Sequence, residues 1–456
     1  MKNNETTFRM RVKLKHFVIM LWFLLAAGGT FAQDSLSFSL AKARDYALKN
    51  SYVIRNSDLD VASARKKVWE TIATGLPQVS GSASYSNYLN LPVSLIPGEF
   101  FGGEAGTYVP VKFGQDYNSD FGFTVDQLIF DGSYIVGISS AKIYLQLSAQ
   151  TKEKTEIEIR HAVEQAYYSV LLAEENLSVM KENLINSQKL ENDTKAMYEN
   201  GFVEEQDQDQ MRLIVQKAEN EVLKAEREIR ISKMVLKYTM GLDMGSEIIL
   251  LDKLSDFVDP LVAEQEVVPK FDYTSHIDYR LLDTQRQASQ KLLKLEKSAY
   301  LPQVKAFYNW SKTAYGENAN LFDNDVSWYK SALWGINVTV PVFSAGQRIS
   351  RVKQAGFDYE KAANDQSQAI QSLQKDYITA VADMESAVDQ LRNDVDNKML
   401  ARKIYEKTVI KYNNGITGST ELSQTETQYI QSQGEWVSSV MQLLTSKINL
   451  DKATGK

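Results

Sequence analysis

The chain contains no cysteine, which excludes thiol nucleophiles, disulfide scaffolds and cysteine-held zinc or iron–sulfur centres. Histidine is nearly as scarce, with three in 456 residues. Apart from His16 near the N-terminus these are His161 and His276, and neither sits in a metal-ligand spacing such as H-x-x-x-H. There is no G-x-x-x-x-G-K-[ST] phosphate loop and no G-x-S-x-G nucleophile elbow. His276-Ile277-Asp278 could be taken for an acid–base pair, but a helix-start histidine beside a capping aspartate is the simpler reading. No catalytic residue, cofactor or metal site is therefore expected. Proline is also rare: the eight prolines leave 111–259 and 342–456 free of it, 149 and 115 residues respectively, which predicts long helices.

Long apolar runs are missing too, save one. Lys2, Arg9, Arg11, Lys13 and Lys15 precede an 11-residue apolar run from Phe17 to Ala27, followed by Thr30-Phe31-Ala32. The run is short of the ~20 residues that span a bilayer, so residues 1–32 read as a secretory signal peptide cleaved before Gln33. Loss of that segment shifts the formal charge from −7 to −11, and an acidic exported protein is a poor partner for nucleic acid.

What is present is a duplication. Leu76-Pro77-Gln78-Val79 recurs as Leu301-Pro302-Gln303-Val304, an offset of 225, and Tyr198-Glu199-Asn200-Gly201 recurs as Tyr412-Asn413-Asn414-Gly415, an offset of 214. Leu236 with Gly241 and Leu450 with Gly455 keep the second offset, so the first copy must carry a larger loop between its Leu-Pro motif and its later helices. Val163, Ala166, Val170, Ala173, Leu177, Met180 and Leu184 alternate spacings of three and four, the a/d pattern of a coiled-coil seam. The 214-shifted partners of the first five are Tyr377, Ala380, Met384, Ala387 and Leu391. The pattern resumes past Gly201 from Met211 to Leu236, and its shifted partner ends with Trp436, Leu443 and Leu450. Each copy thus predicts an antiparallel helical hairpin turning at Gly201 or Gly415, with shorter helices near 38–74 and 273–299. A helix from Tyr134 to Met197 would reach ~96 Å at 1.5 Å per residue.

Between the helices the period becomes two. Val79, Gly81, Ala83 and Tyr85 alternate with serines and Gln78, and Phe121, Phe123 and Val125 alternate with Asp120, Thr124 and Asp126. In the second copy the alternation is weaker over Val304–Trp310 and clear over Trp334, Ile336, Val338 and Val340. Four strands follow, at about 77–90, 118–130, 302–313 and 331–343. Either they form hairpins capping a helical bundle, or they belong to a membrane barrel with an apolar outside and a polar inside. Four strands cannot close a pore, and lipid does not tolerate open sheet edges, so the barrel reading requires an oligomer.

The duplicated helix–strand–strand–long-helix–helix plan, the Leu-Pro-Gln strand starts, the exits at Phe130-Asp131-Gly132 and Phe343-Ser344-Ala345-Gly346, and the Tyr-x-x-Gly turns resemble TolC-type outer-membrane channels. The resemblance implies a mostly α fold with a small membrane β-barrel. It divides the chain into a signal peptide (1–32), repeat 1 (33–242, helical hairpin 133–242), an equatorial linker (243–271) and repeat 2 (272–456, helical hairpin 346–452). It further implies a homotrimer with a twelve-stranded barrel amid outer-membrane lipid and a twelve-helix tunnel in the periplasm. The partners implied are a periplasmic adaptor and an inner-membrane transporter, with efflux or type I protein secretion as the task. An exported, non-conducting coiled-coil scaffold and a secreted hydrolase with a helical domain are the competing readings. By the same resemblance Glu421 and Gln424, one turn apart on one helical face, mark a periplasmic gate. The family pattern has acids at both positions and a basic lock residue where Thr417 stands, so the charge ring here is weaker. The turns Gly201-Phe202 and Gly415-Ile416 are the implied adaptor-docking points; C-capping alone requires the glycines but leaves Phe202 unexplained.

Overall fold

The computed structural model describes residues 36–263, 271–323 and 325–456. The signal peptide, the cleavage point and the end of the linker, Pro269 included, lie outside the described residues. In chain order the elements begin with β1 (Leu36–Phe38), α1 (Leu40–Asn50), α2 (Tyr52–Ala73), β2 (Gln78–Asn87), β3 (Val93–Pro97), β4 (Tyr108–Lys112) and β5 (Tyr117–Asp131). Then come α3 (Gly132–Glu199), α4 (Glu205–Met240), β6 (Ile248–Leu250), α5 (Ser255–Ala263) and α6 (Ile277–Ser298). The chain finishes with β7 (Gln303–Gly316), β8 (Trp328–Thr339), α7 (Gln347–Asn413) and α8 (Ser419–Ala453).

These elements fall into two compact units, within the described residues 53–157, 271–323, 325–381 and 450–456 for the one that holds β2–β5, β7 and β8, and 36–52, 158–263 and 382–449 for the one that holds β1 and β6. Strands from both copies merge into one sheet of order β2-β5-β7-β8, so the strands are not two separate caps. The β5–β7 pairing joins the copies antiparallel, with Phe123 opposite Trp310 and Val125 opposite Tyr308. One face then reads Val79, Val125, Tyr308 and Trp334 across the four strands, and the next row reads Gly81, Phe123, Trp310 and Ala332. The opposite face is small and polar, for example Ser82, Gly122, Ser311 and Ser331, and Thr313 donates to Asp120 across it at 2.9 Å. Aromatic rings stack on the apolar face, with Phe123 and Trp310 centroids 5.5 Å apart. Apolar side chains there face solvent in the single chain: Val79 is 70% exposed and Trp334 72%.

The two sequence motifs meet where strand becomes helix. Asp131 accepts from Ser133 N–H at 2.7 Å, satisfying a free donor at the start of α3, while its other oxygen accepts from Gln303 of the second Leu-Pro-Gln at 2.6 Å. Gly132 lies close to the second Leu-Pro motif, since a Cβ there would lie 2.5 Å from the Leu301 side chain and 3.2 Å from Ser298 O.

The structure departs from the sequence reading in four places. The first helical segment is split at Ser51, whose N–H still bonds Ala47 O while its backbone turns extended. The segment 243–271 is more than a linker: β6 pairs in parallel with β1, and α5 contains Pro260. The larger loop of the first copy, residues 88–116, holds the additional antiparallel hairpin β3–β4. His276 is itself the cap of α6, accepting from Asp278 N–H through Nδ1 at 3.2 Å, which reverses the expected roles. With Nδ1 an acceptor, Nε2 carries the proton and donates to Lys452 O at 3.0 Å, so the residue ties α6 to the end of α8 and is spent structurally.

Candidate functional site

The predicted site residues lie on the two helical turns and the first turns of the helices that follow, all within one unit. Both turns close the same way. Gly201 N–H bonds Tyr198 O and Phe202 N–H bonds Met197 O, each at 2.9 Å; Gly415 N–H bonds Tyr412 O and Ile416 N–H bonds Lys411 O, also at 2.9 Å. This pair of bonds is a Schellman cap, which needs a left-handed residue at the glycine, and φ is 74° at Gly201 and 68° at Gly415. Asn200 and Asn414 reinforce the caps, each side-chain amide donating to the carbonyl four residues back at 2.7 Å. Nothing lies within 4 Å of a Cβ placed on either glycine. The residues that follow, Phe202 and Ile416, are 78% and 72% exposed.

The helix starts differ between copies. In α4 Glu204 caps the backbone and Asp207 reaches back to Glu204 N–H at 3.3 Å, a reciprocal capping box. Its 214-shifted counterpart, Glu421, instead accepts a hydrogen bond from the Thr417 hydroxyl. Glu421 and Gln424 are both exposed, a turn apart on α8. The structure therefore joins Thr417 to Glu421, and leaves Gln424 beside them.

Behind the turns lies a core of Leu190, Met211, Tyr405, Tyr412 and Leu422, with Tyr405 and Tyr429 rings stacked 5.7 Å apart. Above it the helices are bridged by polar groups that the sequence reading missed. Thr194 and Tyr412 share a hydrogen bond of 3.2 Å, Ser187 donates to Glu426 at 2.9 Å, Asn183 donates to Gln433 at 2.7 Å and Gln210 to Ser423 at 3.2 Å. Glu426 is buried, and burial raises its carboxyl above the ordinary value against the opposing pull of Ser187 and the Lys217 charge. Burial likewise raises Tyr405 and Tyr412. The signal that could have revealed this layer is spacing: Leu422, Glu426, Tyr429, Gln433 and Trp436 run four, three, four, three, so polar groups occupy seam positions. A seam that changes from apolar to hydrogen-bonded near its tip separates with less loss of apolar burial than one packed with leucine throughout.

The chain thus combines exposed apolar turns, hydrogen-bonded helix seams and an open sheet with one apolar and one polar face. Among the described residues no helix is long and apolar enough to cross a membrane, and no acidic or histidine cluster could hold a metal ion. No curated protein matches the chain. Solved structures do: CusC, described as forming a transmembrane channel, at 17% identity and TM-score 0.71 over 91% of this chain and 92% of that one. The CmeC outer membrane channel of Campylobacter jejuni gives 16% and 0.70 over 91% and 85%, and the outer membrane protein VceC of Vibrio cholerae 14% and 0.68 over 91% and 96%. At such identities these likenesses establish the fold. The family model described as outer membrane efflux protein matches residues 43–242 and 281–456, most of the chain and both of its copies, and the protein accordingly belongs to the outer membrane efflux protein family.

Proposed function

We propose that three copies of the chain form the exit duct of a tripartite efflux pump, carrying small molecules across the outer membrane. The observation that carries this reading is the sheet β2-β5-β7-β8, apolar on one face, polar on the other and unpaired at both edges. In lipid an open edge costs several kcal/mol per unsatisfied backbone group, so β2 of one copy must pair with β8 of the next. Three copies then make twelve strands, wide enough for a water-filled bore lined by the serine-rich face. The helical hairpins continue the duct on the periplasmic side, and passage, not bond chemistry, is the activity.

In this duct the turns at Gly201-Phe202 and Gly415-Ile416 are the docking points for a periplasmic adaptor, because they present apolar side chains on rigid, glycine-closed caps. Glu421, Gln424 and Thr417 border the resting entrance. Threefold symmetry brings three Glu421 carboxylates together, which favours cations in the bore. Thr417 steadies each carboxylate, in the place where the family pattern has a basic lock. The inner-membrane transporter selects the substrate; the duct does so weakly.

The test is fractionation and crosslinking of the native protein, with N-terminal sequencing of the mature chain. Recovery of a trimer from the outer membrane, beginning at Gln33, is the expected result. A soluble periplasmic monomer would end the reading.

A further inference from the structure

The hairpin β3–β4 pairs with itself and stays outside the four-stranded sheet. Its surface is apolar and uncovered: Leu95 is 66% exposed, Phe100 80%, Phe101 62% and Tyr108 63%. A lone two-stranded hairpin is marginal in water, and a contiguous apolar patch of this kind marks a contact surface. Yet the turn between the strands is closely built. Gly98 N–H donates to Thr107 O at 2.7 Å, the Thr107 hydroxyl donates to Glu104 O at 2.7 Å, and Gly102 takes a left-handed φ of 78°. A Cβ on Gly98 would lie against the Thr107 hydroxyl, so a side chain at that point would have to displace Thr107. This is a shaped surface awaiting a partner.

Two observations select the partner. The segment 88–116 carries Glu99, Glu104 and Asp116 against the single base Lys112, which is the wrong sign for anionic lipid headgroups. It also continues directly from β2, the edge strand that pairs with a neighbouring copy if the duct is a trimer. The hairpin is thus an extension of the copy-to-copy seam. Its side of the sheet is the end away from α3, which leaves β5 at Asp131, so with the helices periplasmic the hairpin stands at the outer mouth. Twelve strands spaced roughly 4.8 Å and tilted about 40° close at a radius of about 12 Å, and five extended residues reach about 17 Å, so three hairpins can meet on the axis.

We propose that the β3–β4 hairpins of three copies lean over the outer mouth and cover one another's apolar surfaces, narrowing the exit at rest without sealing it. This rests on the trimeric duct proposed above. The partner is a second copy of this chain, and full widening of the exit during transport requires the three hairpins to part.

The cysteine-free chain makes the test direct. Phe101→Cys, the sole thiol, is oxidised in intact outer membranes and run on a denaturing gel, and a parallel sample receives vesicles of maleimide-bearing lipid. Disulfide-linked copies are expected, with little lipid label. Lipid labelling without linked copies, or neither product, would overturn the proposal. In planar bilayers, replacing 93–112 with a short Gly-Ser linker should raise single-channel conductance about twofold or more, and Leu95→Asp, which puts three like charges at the contact, should do so without removing the hairpin. Unchanged conductance in both variants contradicts the constriction. Wild-type protein that forms no pore would instead refute the duct itself, so the two failures are distinguishable.

Discussion

Replacing the turn glycines separates what a tip needs for folding from what it needs for docking. At Gly201 and Gly415 a side chain meets nothing within 4 Å, so the whole cost of a substitution is the left-handed backbone. For an ordinary residue that is roughly 1–2 kcal/mol, and for valine about 2–3 kcal/mol, enough to fray the last turn of α3 or α7 but not to unfold the chain. Asparagine tolerates the conformation at under about 1 kcal/mol. Gly241 closes α4 with the same pair of bonds and a φ of 74°, but a Cβ there would lie 2.7 Å from Asn50 O and 2.9 Å from Ser51 Cα. Both neighbours are backbone, so an added overpacking cost of roughly 1–3 kcal/mol remains even with asparagine. Efflux should therefore be lost in the Gly201→Val, Gly415→Val double variant with the trimer intact, and retained in the corresponding double asparagine variant. Gly241→Asn should lower thermal stability. The assays are drug susceptibility in cells, crosslinking for the trimer and melting of purified protein. Wild-type efflux from the double valine variant, or equal failure of the asparagine variant, would refute the reasoning.

Glu421→Gln should reduce cation selectivity in a reversal-potential measurement under a salt gradient, whereas Asp207→Asn should leave selectivity nearly unchanged and cost about 1 kcal/mol of stability, because its carboxylate serves the capping box. Glu426→Gln should stabilise the helical tip at neutral pH, read by hydrogen exchange. Burial raises the folded carboxyl above its unfolded value, so the native contribution of Glu426 is fully present in acid and is lost as pH rises through the raised value; the gain from glutamine must therefore shrink toward low pH, and a gain independent of pH would be contrary.

Much of the fold was legible because its signals are local and repeated. The 214 offset located both Schellman turns, and the proline-free run predicted a helix from 134 to 197 where α3 spans 132–199. The strand alternation foretold the two faces, although not that β5 and β7 would join the copies. What stayed hidden was either short or tertiary. The three-residue pair β1–β6 has too few residues for a period, and Pro92, Pro97, Pro110 and the surrounding glycines made the β3–β4 segment resemble plain loop. The break at Ser51 is settled by close approach to Gly241, a contact between residues remote in sequence. At the tip, Gly201, Phe202, Gly415 and Ile416 could be read from turn chemistry. The Thr417–Glu421 and Ser187–Glu426 bonds could not, because a hydroxyl's partner is chosen by geometry after the helices have packed.

The central claim is that this chain closes its four-stranded sheet by pairing with two further copies into a water-filled duct. Purified native protein added to a planar bilayer at low voltage tests it most directly. The account predicts stepwise, cation-preferring conductance from a species that elutes as a trimer, with steps abolished when backbone pairing at the β2 edge is blocked by Ala83→Pro, at a position whose N–H faces away from β5. A trimer that inserts without conductance, or full conductance from the Ala83→Pro variant, would contradict it.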